Sequence, residues 1–415
     1  MAHELAVWLS GEPVGTLSLA QGRLCFQYDP TWLARADALP LSCSLPLQAA
    51  PFDAQQARPF FAGLLPEGTQ RRLIAQQLQV SRQNDFALLD GIGGECAGAV
   101  ALLAPEDTLP SPAEDDVQWL CDEEFVALLD EIPRRPMLAG REGLRLSLAG
   151  AQEKLPVMFD GARIGLPRNG TPSSHILKPA IRTLADTVNN EGFCLALAEA
   201  MQFQPVRAQV RTVQGRAFLL VERYDRRARQ RLHQEDFCQA LGVVPEMKYQ
   251  NEGGPGWAQC FELLRRSTRP GAPQVLRLFD YVIFTALIGN HDAHAKNFSL
   301  LYTENGAVLA PLYDVVSTAV YPHLTPKMAM KIGGKYKFDD IRARHWERFA
   351  EATGMGKAQA RKRILTVAKT LPTCARAVQS DPTLGFADCE IAAQIVRLIE
   401  QRCALTTQRL TTAAA

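Results

Sequence analysis

Between Gly289 and Phe298 the chain reads Asn290, His291, Asp292, Ala293, His294, Ala295, Lys296, Asn297. Three kinds of chemistry are open to such a set: a metal site, a solvated turn, or a phosphotransfer loop. A zinc-hydrolase helix places its two histidines four apart, as H-E-x-x-H, so that both face one ion. His291 and His294 are three apart, and no other His or Cys cluster supplies a further ligand. That spacing argues against a histidine-held metal. A phosphotransfer loop of the H-R-D-L-x-x-x-N kind needs an Asp to receive or orient the proton of the substrate hydroxyl. Further along, an Asn holds a magnesium ion against the phosphates. Asp292 and Asn297 have that separation, and Lys296 lies between them to offset charge building on the transferred group.

Such a spacing arises easily by coincidence, so the remaining parts of an ATP-dependent phosphotransferase must be found in order. A second metal-binding acid is supplied by Asp314 in "LAPLYDVVS", although an Asp there equally serves as a helix cap or turn residue. A phosphate-pairing lysine is supplied by Lys178 in "HILKP", where the alternative is a solvent-facing lysine on an edge strand. Glu191, near the start of the following helix, is the acid placed to orient that lysine; its rival role is a first-turn acid favoured by the helix dipole. "LSLAGAQEKLPV" lies upstream and offers Ala149, Gly150 and Ala151, whose small side chains let backbone amides approach phosphate oxygens. The richer "GIGGECAG" lies far from the other parts and reads as a tight turn or an inter-domain contact. Adenine needs backbone partners at the end of a strand, which places Glu222, Arg223 and Tyr224 in "LLVERYDR".

The elements that must position these residues follow from the hydrophobic pattern. Residues 4–28 read as a β-meander, and a helix is expected over 68–80. "APEDTLPSPAEDD" (104–116) is rich in proline and acid and reads as a linker. From about 140 the pattern is strand-rich, with a strand at Ile176–Lys178, a buried helix over 187–203 and a hairpin turning at Gln214–Gly215. Beyond Arg226 it is mainly helical, apart from a hairpin at Asn305–Gly306, with closing helices at about 339–353, 357–371 and 386–405. The expected fold is α+β: a small β-rich lobe and a large helical lobe in a protein-kinase-like arrangement, preceded by a β-rich N-terminal subdomain. The expected divisions are 1–105, a linker and short helix at 106–139, the small lobe at 140–224 and the large lobe at 225–415.

With 415 residues, the chain is long enough for two or three domains with their own cores. Its 47% hydrophobic and 21% charged residues are those of a globular protein. A net charge of +1 excludes a surface built throughout to grip nucleic acid. The basic run "ERYDRRARQR" (222–231) reads as a solvated charged turn, with a minor nucleic-acid contact as the alternative. No apolar run approaches a membrane span, and the first residues lack the pattern of a signal peptide. The ten scattered cysteines read as reduced thiols, so a cytoplasmic location without membrane contact is expected.

Taken together, "LSLAGAQEK", "HILKP", "VERYDR", "GNHDAHAKNFS" and "PLYDVVS" resemble the signature motifs of the HipA family, serine/threonine-kinase toxins of bacterial type II toxin–antitoxin pairs. "HQEDFCQALG", "KYQNEGGPG", "FFAGLLPEG" and "NDFALLDGIGGECAGAV" are similar to that family too, so the resemblance spans nearly the whole chain. It implies that Asp292 is the catalytic base, with Lys296 beside it, and that Asn297 and Asp314 hold Mg2+. It implies that Lys178 contacts ATP, and that Ala149, Gly150, Ala151, Gln152, Glu153 and Lys154 cover the phosphates. Glu222, Arg223 and Tyr224 would bind adenine, while His294, Lys296, Asn297 and Tyr313 line the nucleotide site. Ser147 matches the autophosphorylated position, where a phosphate would displace ATP and switch the enzyme off. The implied partners are a small helix-turn-helix antitoxin, operator DNA held mainly through that antitoxin, and a protein substrate such as glutamyl-tRNA synthetase, an aminoacyl-tRNA synthetase. His291 departs from the family, which more often has Thr or Asn there; a local polar contact without loss of activity is expected. A small-molecule phosphotransferase and an inactive co-repressor scaffold remain the alternatives.

Overall fold

Alternation in the first strand sets the N-terminal architecture: in β1 (Glu4–Leu9) Leu5, Val7 and Leu9 are buried while the residues between them are not. The computed structural model describes residues 4–109 and 116–412. β1 pairs antiparallel with β2 (Glu12–Ala20) and β4 (Val100–Leu103), and β2 with β3 (Arg23–Tyr28), giving the order β3-β2-β1-β4. Helices Ala54–Gly63, Gly68–Gln77 and Asp85–Ile92 add Phe60, Phe61, Ile74, Phe86 and Leu89 to the same core as Phe26 and Tyr28. The first of these starts at a capping box formed by Asp53 and Gln56, which satisfies backbone donors at its N-terminus.

A second sheet runs β5-β7-β6-β8-β10-β9, from β5 (Val117–Trp119), β6 (Leu155–Phe159), β7 (Ile164–Pro167), β8 (His175–Pro179), β9 (Ala208–Val213) and β10 (Arg216–Glu222). β8 lies between β6 and β10, so Lys178 stands on an interior strand and not on an edge. Residues 110–115 of the expected linker lie outside the described residues. From Val117 the chain is already paired, as β5 against β7, and the helix Asp122–Glu131 follows.

The chain divides into two compact units. One takes in everything up to Pro179 with Arg211–Glu246 and Ser299–Asn305; the other takes in Ala180–Val210, Met247–Phe298 and the chain from Gly306. The second unit is built on helices Thr187–Ala200, Trp257–Ser267, Gly271–Ile288, Ala343–Ala352, Lys357–Ser380 and Glu390–Thr412. Helix Lys357–Ser380 runs past the expected end at 371, through Pro372. Its apolar face explains this: Ile364, Val367, Ala368, Leu371, Ala375 and Val378 recur at helical spacing and are all buried, so packing outweighs the bond that proline removes.

Two further features were not foreseen. Strands Lys327–Ile332 and Lys335–Lys337 form an antiparallel ladder where helix was expected. Its turn needs Gly333, whose φ is 55° and whose position would bring a Cβ within 2.0 Å of the His345 carbonyl oxygen. Helix Gly271–Ile288 has, among the described residues, the length and the mean hydropathy (1.2) of a membrane span, although no such run was expected. However, 67% of it is buried inside the protein, and its Asp280 is ion-paired with Arg363, so it is a core helix.

Candidate active site

The loop that carries Asp292 begins where helix Gly271–Ile288 stops. Gly289 caps that helix in the left-handed region (φ 78°) and sits so close to Ala319 and Leu398 that a Cβ would clash. The next residues are pinned one by one. The Asn290 amide donates to the Thr285 carbonyl (2.8 Å), and its side-chain oxygen accepts from the Asp292 amide (3.0 Å). The His291 amide donates to Thr318 Oγ1 at 2.8 Å. Its Nδ1 lies 3.2 Å from the Thr325 carbonyl and its Nε2 3.0 Å from Arg402 Nη2. A carbonyl only accepts and a guanidinium only donates, so His291 is neutral with its proton on Nδ1. Burial and the Arg402 charge lower it to about 4, in agreement. The local polar contact expected of His291 is therefore present, and both ring nitrogens are engaged.

Asp292 turns the chain back. Its carbonyl accepts from the His294 amide (2.8 Å) and from Asn297 Nδ2 (3.1 Å), while its carboxylate is exposed. The Tyr249 hydroxyl donates to Asp292 Oδ1 at 2.8 Å. Tyr249 packs edge-on against His294, with ring centroids 5.2 Å apart, and Lys248 Nζ lies over the Tyr249 ring at 5.3 Å. Around the exposed carboxylate the other polar residues, His294, Lys296 and Asn297, are buried. Burial, with Lys248 and Lys296 adding like charge against the opposing pull of Asp314, lowers His294 to about 3, so it is neutral at physiological pH. His294 Nδ1 is buried without a hydrogen-bond partner.

Tyr313 donates its hydroxyl to the Lys296 carbonyl at 2.8 Å, which joins the "PLYD" segment to the loop. The next residue, half-buried Asp314, has φ 57°, a left-handed conformation that side-chain-bearing residues seldom adopt and that often marks a functional position. It lies in neither a helix cap nor a strand.

Whether Asn297 and Asp314 suit a metal turns on their donor chemistry. Asn297 uses its Nδ2 on the Asp292 carbonyl, which assigns Oδ1 as the atom for a cation. Among the described residues no group of three or more His, Cys, Asp or Glu side chains is arranged to hold an ion. One amide oxygen and one carboxylate do not make a closed cage, but they fit Mg2+, which takes one or two protein oxygens and fills its octahedron with water and phosphate oxygens.

The first unit carries the other residues singled out in the sequence. Lys178 is buried on β8, where it pairs in register with Leu219. Ser147 is fully buried: its Oγ donates to the Leu64 carbonyl at 2.8 Å and its amide to the Glu95 carbonyl at 2.9 Å. Gly150 has φ 109° and bridges Pro66, its carbonyl accepting from the Glu67 amide at 3.0 Å. Ala149, Gln152, Glu153 and Lys154 are half-buried around it and Ala151 is exposed. Glu222 is exposed at the end of β10, and half-buried Tyr224 bonds Gln234 through its hydroxyl. Glu191 belongs to the second unit, where helix Thr187–Ala200 begins before it. It is buried in that helix, so the role of an exposed first-turn acid does not apply.

The basic run 222–231 corrects the sequence reading most clearly. It is a solvated turn only at its tip, where residues 227–230 are exposed; Arg223 and Arg226 are buried against Glu95 and Asp225. The Arg223 guanidinium is fully committed there and its amide donates to the Ser174 carbonyl (3.0 Å), so Arg223 has no donor left for a ligand. "GIGGECAG" likewise contributes more than a turn, because Glu95 is the centre of that cluster.

Comparison with known proteins bears on the whole chain. Residues 5–103 match the family model of the HipA N-terminal domain, and residues 146–375 match that of the HipA-like C-terminal domain. A putative kinase of Sinorhizobium fredii, Y4mE, is 47% identical over 391 residues, covering 92% of this chain and 93% of its own. The serine/threonine-protein kinase toxin HipA of Shewanella oneidensis is 28% identical over 362 residues, covering 83% and 82%. The solved complex of Shewanella oneidensis HipA with HipB and operator DNA contains a chain that superposes with a TM-score of 0.86 at 25% identity, covering 98% of each.

Proposed function

Because this chain belongs to the HipA family of serine/threonine-protein kinase toxins, we propose that it transfers the γ-phosphoryl group of ATP to a serine or threonine of another protein and thereby arrests growth. The observation that carries the reading is the Asp292 carboxylate: it is exposed, hydrogen-bonded by Tyr249, and set in a loop whose other polar residues are buried. In this reading Asp292 takes the proton of the attacking hydroxyl. The Tyr249 bond holds Oδ1 and so helps orient the carboxylate. Lys296 offsets charge on the phosphoryl group as it moves. Asn297 and Asp314 would hold Mg2+, which supplies charge neutralisation at the phosphates when bound. Lys178 and the 149–154 segment take the phosphates, with His294 and Tyr313 lining the nucleotide; Glu222 and Tyr224, on either side of the committed Arg223, take adenine.

The Shewanella oneidensis relative is solved with HipB and operator DNA, which supports an equivalent partnership here: a small helix-turn-helix antitoxin that carries most of the DNA contact. A net charge of +1 on this chain fits that division of labour. All ten cysteines are free thiols, which suits the reducing cytoplasm. For the substrate we propose an aminoacyl-tRNA synthetase, with glutamyl-tRNA synthetase first, and for regulation autophosphorylation at Ser147. The test is a phosphoproteome taken after induction. A serine or threonine site rising on a synthetase together with growth arrest is expected. Arrest with no protein site changed would overturn protein phosphorylation and point to a small-molecule acceptor.

Tyr249 gives a narrower check. Tyr249→Phe removes one hydrogen bond to a charged oxygen and keeps the ring against His294. A fall in kcat of about tenfold with KM for ATP unchanged is expected from steady-state kinetics. A rise in KM at constant kcat would place Tyr249 in nucleotide binding instead.

A further inference from the structure

We infer that Glu95, in the N-terminal part of the chain, is a positioning residue for nucleotide binding, one that locks the adenine segment Glu222–Tyr224 and the Ser147 segment to each other. This rests on the adenine reading of that segment. All the residues involved belong to the first unit.

The Glu95 side chain is 2% exposed and accepts from more than one strand at once. Oε1 accepts from Arg223 Nη1 (3.1 Å), Arg226 Nη2 (2.8 Å) and both the amide and hydroxyl of Ser173 (3.0 Å each). Oε2 accepts from Arg231 Nε (3.1 Å) and Nη2 (2.7 Å). Asp225 completes the cluster, bound by Arg223 through Nε (2.9 Å) and Nη2 (2.7 Å). Three guanidinium groups therefore face two carboxylates in a water-poor interior. The Coulombic pull of the three arginines outweighs burial and holds the Glu95 carboxyl well below the usual range. Removing one of the two negative charges leaves buried cations uncompensated, and the segment that carries them must shift to find water.

The backbone of the same residue reaches the other way. The Glu95 amide donates to the Arg145 carbonyl (2.8 Å), and the Glu95 carbonyl accepts from the Ser147 amide (2.9 Å), in a parallel bridge at Leu146. One residue thus holds the adenine segment by its side chain and the regulatory serine by its backbone. Arg223 sits between Glu222 and Tyr224, so a movement of its guanidinium carries both flanking backbone units with it. Displacement of the Ser147 segment would also break the ladder that seats Glu95.

The experiment is ADP titration by calorimetry, beside steady-state kinetics, on the full chain. Glu95→Gln keeps the shape and removes the charge. Its ADP Kd and its KM for ATP are expected to rise about tenfold or more, with kcat at saturating ATP within about twofold. Asp85→Asn is the control, because Asp85 is also a buried acid of the N-terminal part with arginine partners, Arg58 (2.7 Å) and Arg71. It should lower the melting temperature without changing ADP affinity. If Glu95→Gln does not fold, Arg231→Gln replaces it at the rim of the cluster and should weaken ADP about threefold. Wild-type ADP affinity in the folded Glu95 or Arg231 variant overturns the inference, as does an equal loss of affinity in Asp85→Asn. A wild-type chain that binds no ADP overturns the nucleotide reading itself.

Discussion

Asp292→Asn will lower phosphoryl transfer by on the order of 100- to 10,000-fold while ADP binding stays within about twofold of wild type. The substitution is nearly isosteric and leaves the backbone of the loop intact. The Asp292 amide and carbonyl, which contact Asn290, His294 and Asn297 and shape this turn, are kept in the variant. The Tyr249 bond to the carboxylate survives the change, because an amide oxygen still accepts it. What is lost is the basic oxygen. An amide does not take the proton of an attacking hydroxyl, so the effect falls on kcat. Single-turnover transfer from labelled ATP, with calorimetric ADP binding in parallel, measures both quantities. Growth arrest on expression should disappear with the same substitution. A toxic Asp292→Asn chain would detach toxicity from this carboxylate.

Ser147→Asp will release the 146–154 segment and abolish nucleotide binding. Ser147 has no exposed surface, and its hydroxyl is spent on the Leu64 carbonyl. A carboxylate at that position is buried beside a carbonyl oxygen with no cation bonded to it, a penalty of several kcal/mol. A phosphate, with up to about two negative charges, is worse still. The segment escapes the penalty only by leaving, which takes Gly150 off Pro66 and Glu67 and removes the small residues proposed to cover the phosphates. It follows that the serine must also be out of its buried position before it can be phosphorylated. Trypsin reports this directly, through cleavage after Lys154. Cleavage at least about tenfold faster in Ser147→Asp than in wild type is expected, together with loss of ADP binding. Equal protection and equal affinity would show that charge at this position is no switch.

How much of this was legible in the sequence depends on the range of the interaction. The strand at 175–179, the hairpin of β9 and β10 and helix 187–200 follow from local alternation and apolar spacing, and they lie where the pattern put them. The loop 290–297 announced itself because its polar residues are contiguous. Tyr249 did not, because it reaches Asp292 from 43 positions away and nothing in "KYQNEGG" marks a hydroxyl that finds a carboxylate. Glu95 was passed over for the same reason. Nothing in a glutamate among glycines names its arginine partners, and only folding across 128 residues brings Glu95 to Arg223 in a buried cluster. Helix continuation through Pro372 and the ladder around Gly333 likewise depend on what packs against them, where local propensity gives the opposite answer.

The most direct test of the central claim is intact-mass spectrometry of the purified chain after incubation with ATP and magnesium, wild type beside Asp292→Asn. The account predicts one added phosphoryl group on wild type, mapped by fragmentation to Ser147, and none on the variant. A wild-type chain that remains unmodified while binding ATP, or an Asp292→Asn chain modified to the same extent, would contradict it.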